Sequence, residues 1–146
     1  MLKAFATRRD RRRTYILLEV CGFLALIAVY VGIDDNPPGL VMAFLSAAAF
    51  ATAFAHPWRS PRQFRRLMYA SGAGLLVFTV LHNVFYAMTI VPDLPRSAEV
   101  VFSGMGVACF LIAILLCPPF FVVGAVGAVV TALRRGGAES SGTTGE

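Results

Sequence analysis

LMYASGAGLLVFTVLHNVFYAMTIV, residues 67–91, is a run of twenty-five residues without a formal charge. At 1.5 Å rise per residue a helix of this length is roughly 37 Å long, enough to cross the ~30 Å hydrocarbon of a bilayer with some tilt. A small soluble core cannot hide it. The segment reads as a membrane span, and the rest of the chain has to be organised around it.

Composition agrees. The chain has 146 residues, of which 58% are hydrophobic and 14% charged, and its mean hydropathy is +0.72. These values lie outside the soluble range. Outward from residues 67–91, three further apolar segments stand out at about 15–33, 40–56 and 100–133. Four spans and their turns occupy residues 1–135 as a single membrane domain and leave no room for a soluble one. The expected fold is an all-α integral membrane protein, a four-helix transmembrane bundle.

Charge sets the expected orientation. Six of the thirteen Lys and Arg precede the first span, four (Arg59, Arg62, Arg65 and Arg66) lie between spans two and three, and Arg134 and Arg135 follow the last, leaving Arg96 alone on the other side. Under the positive-inside rule both termini are cytoplasmic. The net charge of +5 would point to nucleic acid in a soluble protein. Beside membrane spans, the same arginines meet anionic lipid headgroups. Residues 1–13, MLKAFATRRDRRR, look like the basic start of a signal peptide, but the apolar run after them exceeds the usual ~7–15 residues and no small-x-small site precedes Asp34-Asp35. The segment is therefore expected to stay as an anchor. Twelve Arg to one Lys, with abundant Ala and Gly, fits a GC-rich bacterial genome and an inner-membrane protein.

The turns carry their own signals. Asn36 is placed to cap the second helix, with Pro37 and Pro38 in its first turn and Asp34-Asp35 as turn residues. Ser60 and Gln63 have capping-box spacing around Pro61, and Trp58 suits a headgroup interface. Ser97 or Ala98 should open the fourth helix, with Glu99 in its first turn. Residues 100–133 would make a helix of roughly 51 Å, too long for one crossing. The sequence therefore predicts a break at Pro118-Pro119. Either a kinked fourth helix continues with residues 120–133 covered by its neighbours, or the chain turns at Cys117-Pro118-Pro119 into a short fifth pass or a re-entrant hairpin. A fifth pass would move Arg134 and Arg135 outside, so four spans are expected. Residues 136–146, GGAESSGTTGE, have the composition of a disordered cytoplasmic tail.

Two kinds of candidate site emerge. Small residues mark helix contacts: Ala43, Ala47, Ala51 and Ala55 at four-residue spacing, and Gly104, Gly106, Ala108, Gly124 and Ala128 in the last segment. The pattern does not say whether the partner helix belongs to the same chain. Polar groups within the spans are the other kind. Glu19 shares a face with Tyr15, Gly22, Leu26 and Tyr30, expected to point into the bundle or to place Glu19 beside Arg12 or Arg13. In the third span Ser71, Phe78, His82 and Thr89 form one stripe and Gly72, Thr79, Asn83 and Tyr86 the next, together a polar sector. A carboxylate in hydrocarbon costs ~2.5–3.5 kcal/mol unless partnered, so Glu19, Tyr30, His82, Asn83 and Tyr86 form the candidate intramembrane site.

No HExxH, GxSxG or P-loop pattern occurs. Cys21, Cys109 and Cys117 lie in apolar segments without CxxC spacing and read as small hydrophobes, and Cys109 with His82 would make only half a metal site. No cofactor is expected. The sequence thus predicts a structural or accessory subunit that forms a homo-oligomer or joins a larger membrane complex; the alternative is a small oligomeric proton-coupled transporter using Glu19 and His82.

Overall fold

In the computed structural model, residues 7–33 and 36–140 are described. Five α-helices follow one another: α1 (Arg8–Val31), α2 (Pro37–Ala55), α3 (Pro61–Thr89), α4 (Arg96–Leu111) and α5 (Cys117–Ser140), with one π-helical turn, Ile112–Leu116, joining α4 to α5. Four helical rods are long and apolar enough to cross a membrane, the fourth running without interruption over Arg96–Arg134. Their outer surfaces are apolar: Leu26 is 71%, Val29 80%, Leu76 70% and Leu133 71% exposed. A fold built for water does not present so much aliphatic surface.

The chain does not turn at Pro118-Pro119. Helix four passes straight through the two prolines, and its irregularity lies one turn earlier, where the Cys117 N–H donates to the Ile112 carbonyl five residues back. A proline ring collides with the carbonyl four residues before it and donates no hydrogen bond. Widening the preceding turn to π geometry makes room for both rings while the helix goes on. Residues 120–133 accordingly continue as α5, packed on α3 and α2. The helix extends to Ser140, five residues into the segment read as a disordered tail; residues 141–146 lie outside the described residues.

Several turn signals work differently from expectation. Asn36 occupies the position before α2, but its Nδ2 donates to the Val31 carbonyl at 2.9 Å and so closes the end of α1. Ser60 precedes α3 without a side-chain cap; Gln63 N–H donates instead to the Ser60 backbone carbonyl. The fourth helix opens at Arg96, with Pro95 accepting from the N–H groups of Ala98 and Glu99. Pro37 and Pro38 do sit in the first turn of α2. The best formed cap is Thr7, whose Oγ1 accepts from Asp10 N–H at 3.0 Å and donates to the Asp10 carboxylate at 2.7 Å, starting α1 well before its apolar run. Asp34-Asp35 lie outside the described residues.

The helices form two antiparallel hairpins. In the first, small residues seven apart set the register of α1 on α2. Thr14 Oγ1 donates to the Asp10 carbonyl of its own helix at 3.0 Å and stands 3.4 Å from the Ala53 carbonyl of α2, Ser46 Oγ donates to the Cys21 carbonyl at 2.9 Å, and buried Ala28 and Gly39 continue the two series. Gly39 is needed there because a Cβ would collide with the Gly32 carbonyl. In the second hairpin α3 lies along α4, the π turn and α5. The hairpins meet where α2 packs on the π turn and α5.

Candidate functional site

The polar residues of α3 do not form one sector. Ser71 is buried and donates within its own helix to the Leu67 carbonyl at 2.8 Å, while Phe78, His82 and Thr89 are half-buried. The neighbouring stripe, Thr79, Asn83 and Tyr86, faces outward, and Asn83 Nδ2 is satisfied by the Thr79 carbonyl at 2.8 Å. His82 alone reaches another helix. Its Nδ1 lies 2.9 Å from the Gly106 carbonyl, and its ring stands 5.1 Å from that of Phe110 and 6.5 Å from that of Tyr86. A carbonyl can only accept, so Nδ1 carries the hydrogen and Nε2 is the acceptor of the neutral ring. Gly106 is buried against α3, where a Cβ would make ordinary contact with Phe85 and His82 at 3.6 and 3.8 Å.

This geometry makes His82 a clasp between α3 and α4. Hydrogen bonds between membrane helices contribute ~0.6 kcal/mol on average and up to ~1.7 kcal/mol. His82→Phe, which keeps a ring against Phe110, is therefore expected to lower unfolding free energy by about 1 kcal/mol. Chemical unfolding of the variant in mild detergent measures this.

The Glu19 face turns away from the bundle, against expectation. Glu19 is exposed, Leu26 and Tyr30 are 71% and 93% exposed, and a Cβ on Gly22 would meet nothing within 4 Å. The reason is the seam on the other side: Thr14, Cys21 and Ala28 are the residues of α1 that face α2, which rotates Glu19 outward. Among the described residues Glu19 has no ion pair, so neither Arg12 nor Arg13 answers it. Glu19 and His82 therefore sit on helices that belong to different hairpins, with α1 packed on α2 and α3 on α4 and α5. Among the described residues, no three of His, Cys, Asp or Glu come together in a way that could hold a metal ion.

No family model, curated protein or solved structure matches the chain. Function has to be argued from the geometry alone.

The small-residue faces divide in two. Ala47, Ala51 and Ala55 are buried and Ala43 half-buried, with Ala47 on a cavity bounded by Cys21 and Leu115 and Ala55 on another bounded by Phe64 and Val122. Gly124 is buried against the α3 backbone and Ala128 is half-buried. These residues serve contacts within the chain. Gly104 and Ala108 remain exposed on α4, as does Gly22 on α1. Arg59, Arg62, Arg65 and Arg66 are all exposed around the start of α3.

Sequence reasoning missed the α1–α2 seam and the residues at its end. Thr14 is fully buried, and His56, at the end of α2, has Nε2 3.8 Å from the Asp10 carboxylate. The signal was present as seven-residue spacing of Thr14, Cys21 and Ala28 opposite Gly39, Ser46 and Ala53. Four-residue alanine spacing was the louder pattern.

Proposed function

We infer that this chain is a four-span inner-membrane protein, with both termini in the cytosol, that acts as a structural or accessory subunit by associating with itself or with a larger membrane partner. The observation that carries the reading is the outward face of α1. In a lone protomer the Glu19 carboxylate and the Tyr30 ring would stand against lipid, and a neighbouring helix that brings a polar partner to the carboxylate offsets a cost that reaches ~2.5–3.5 kcal/mol at the centre of a span. Gly22 leaves the backbone bare between them, which allows close helix approach. Gly104 and Ala108 on α4 offer a second such surface. The distribution of Lys and Arg supports the orientation. A proton-coupled carrier is the less supported alternative, since Glu19 and His82 lie on helices of separate hairpins.

The test is Gly22→Leu together with Glu19→Gln. Because nothing lies within 4 Å of a Cβ at residue 22, this variant should keep the stability of the protomer. Its association, read by energy transfer between differently labelled copies in liposomes, should weaken roughly tenfold, the size of a typical helix-interface perturbation of about 1.4 kcal/mol. If the partner is a different protein, copurification of that protein from native membranes should fall to the same extent. A wild-type chain that stays alone and monomeric in both liposomes and native membranes removes the reading.

A further inference from the structure

Where α2 gives way to α3, a cavity of about 320 Å³ opens between the α2–α3 turn and the Gly127 to Arg134 stretch of α5. Its rim carries two guanidinium groups, Arg59 and Arg134, with Trp58 and Thr131 beside them. The walls are held in place from within. Phe64 is buried, its ring sits over Gly127, and Trp58 stands edge-on to it with ring centres 5.3 Å apart. His56 forms part of the wall. Its Nδ1 donates to the Ala53 carbonyl at 3.0 Å, and its Nε2 lies 3.8 Å from the Asp10 carboxylate, so the far side of the imidazole is turned toward α1.

The cavity has an apolar continuation. A second one, of about 410 Å³, shares the walls His56, Phe64, Gly127 and Val130 and runs on between α2 and α5 past Thr52 and Val126. A third, of about 280 Å³, shares Val122 and ends at Pro118 and Pro119. From Val130 to Pro118 the groove follows α5 for roughly 18 Å at 1.5 Å per residue, about the depth of one leaflet, which is half of ~30 Å. Cationic mouth and apolar groove therefore meet at the level where headgroups give way to hydrocarbon.

We propose that this mouth and groove form a built site for one anionic phospholipid of the cytoplasmic leaflet, with its phosphate between Arg59 and Arg134 and one acyl chain laid between α2 and α5. A free anion would fill the mouth and leave the groove empty; an uncharged hydrocarbon would do the reverse. Only an amphiphile with a negative head matches both chemistries in their observed order. The site rests on the membrane placement of the chain and is independent of whether protomers associate.

The experiment purifies the full chain in mild detergent and counts phospholipid of each class retained per protomer by native mass spectrometry. Wild type is expected to keep about one anionic lipid through detergent exchange, and the pair Arg59→Ala with Arg134→Ala to retain it roughly 10- to 30-fold less well, as for the loss of two headgroup-level cations. Val126→Phe, which fills the groove and leaves both arginines, should reduce retention of every lipid class. Wild type alone provides an arm that does not depend on variants folding. Its thermal unfolding temperature should rise with added anionic lipid, rise less with zwitterionic lipid, and not respond to inorganic phosphate. Equal stabilisation by zwitterionic lipid, or a response to phosphate as large as that to lipid, overturns the proposal. So does unchanged retention in the double-arginine variant. Loss of self-association with lipid retention intact would sink the subunit reading and leave this one standing.

Discussion

Gly124→Leu is expected to force α3 and α5 apart and to cost about 3 kcal/mol or more, at the upper end of what overpacking a close contact does. A Cβ at residue 124 would lie 2.7 Å from the Met68 nitrogen, 3.0 Å from Met68 Cα and 3.0 Å from the Phe64 carbonyl oxygen. All three are backbone atoms, so no side-chain rotation relieves the clash and one helix axis has to move. The movement would spread to Phe64, the buried anchor of the arginine-rich end. Trp58 is the single tryptophan and packs on that ring, so its fluorescence reports the change directly. Denaturant unfolding followed at Trp58 should show a clearly lower midpoint. Gly104→Leu is the control, because nothing lies within 4 Å of a Cβ there and stability should hardly change. Equal midpoints for wild type and Gly124→Leu would mean that the α3–α5 contact is not what holds the second hairpin.

Ala53→Leu should do comparable damage to the first hairpin. Ala53 is fully buried, and its carbonyl accepts from His56 and stands 3.4 Å from Thr14 Oγ1, so its surroundings are fixed on two sides. A leucine there has to displace α1, and the expected loss is roughly 2–3 kcal/mol. Ala47→Leu should be milder despite similar burial, since Ala47 borders a cavity of about 460 Å³ that can take the added carbons. Unfolding of the two variants under the same conditions checks the order. If Ala47→Leu proves the more harmful, the seam has been assigned to the wrong side of α2. Cysteine cross-linking between the outer ends of α1 and α2 would show whether α1 has come away in Ala53→Leu.

The contrast between these two alanines explains how much of the molecule was legible beforehand. In a soluble helix the polar face points out and the apolar face in, so the sequence carries the rotation of the helix about its axis. A helix in lipid is apolar all round, and that signal is lost. The usual substitute is that polar residues within a span face the bundle; His82 does reach α4, whereas Glu19, Asn83 and Tyr86 are exposed. Those three face outward because small residues on the opposite sides of α1 and α3 already pack the interior more closely than polar ones could. Small residues were thus the better guide to the interior, but alanine at four-residue spacing drifts around the helix and borders two different neighbours, whereas the quieter seven-residue series stays on one.

By itself the sequence determined four apolar helical segments, the turns at Pro37-Pro38 and Pro61, and the division of basic residues between the two ends. Apolarity and helix-breaking chemistry are properties of neighbouring residues and need no partner to be expressed. Tertiary structure alone decided which face of each helix lies inside, why Gly124 must be glycine, and how the chain treats Pro118-Pro119. Two adjacent prolines can end a helix or be absorbed by a widened turn, and the outcome depends on what waits beyond them. Here α3 and α2 supply a packing surface for α5, and the helix continues along it.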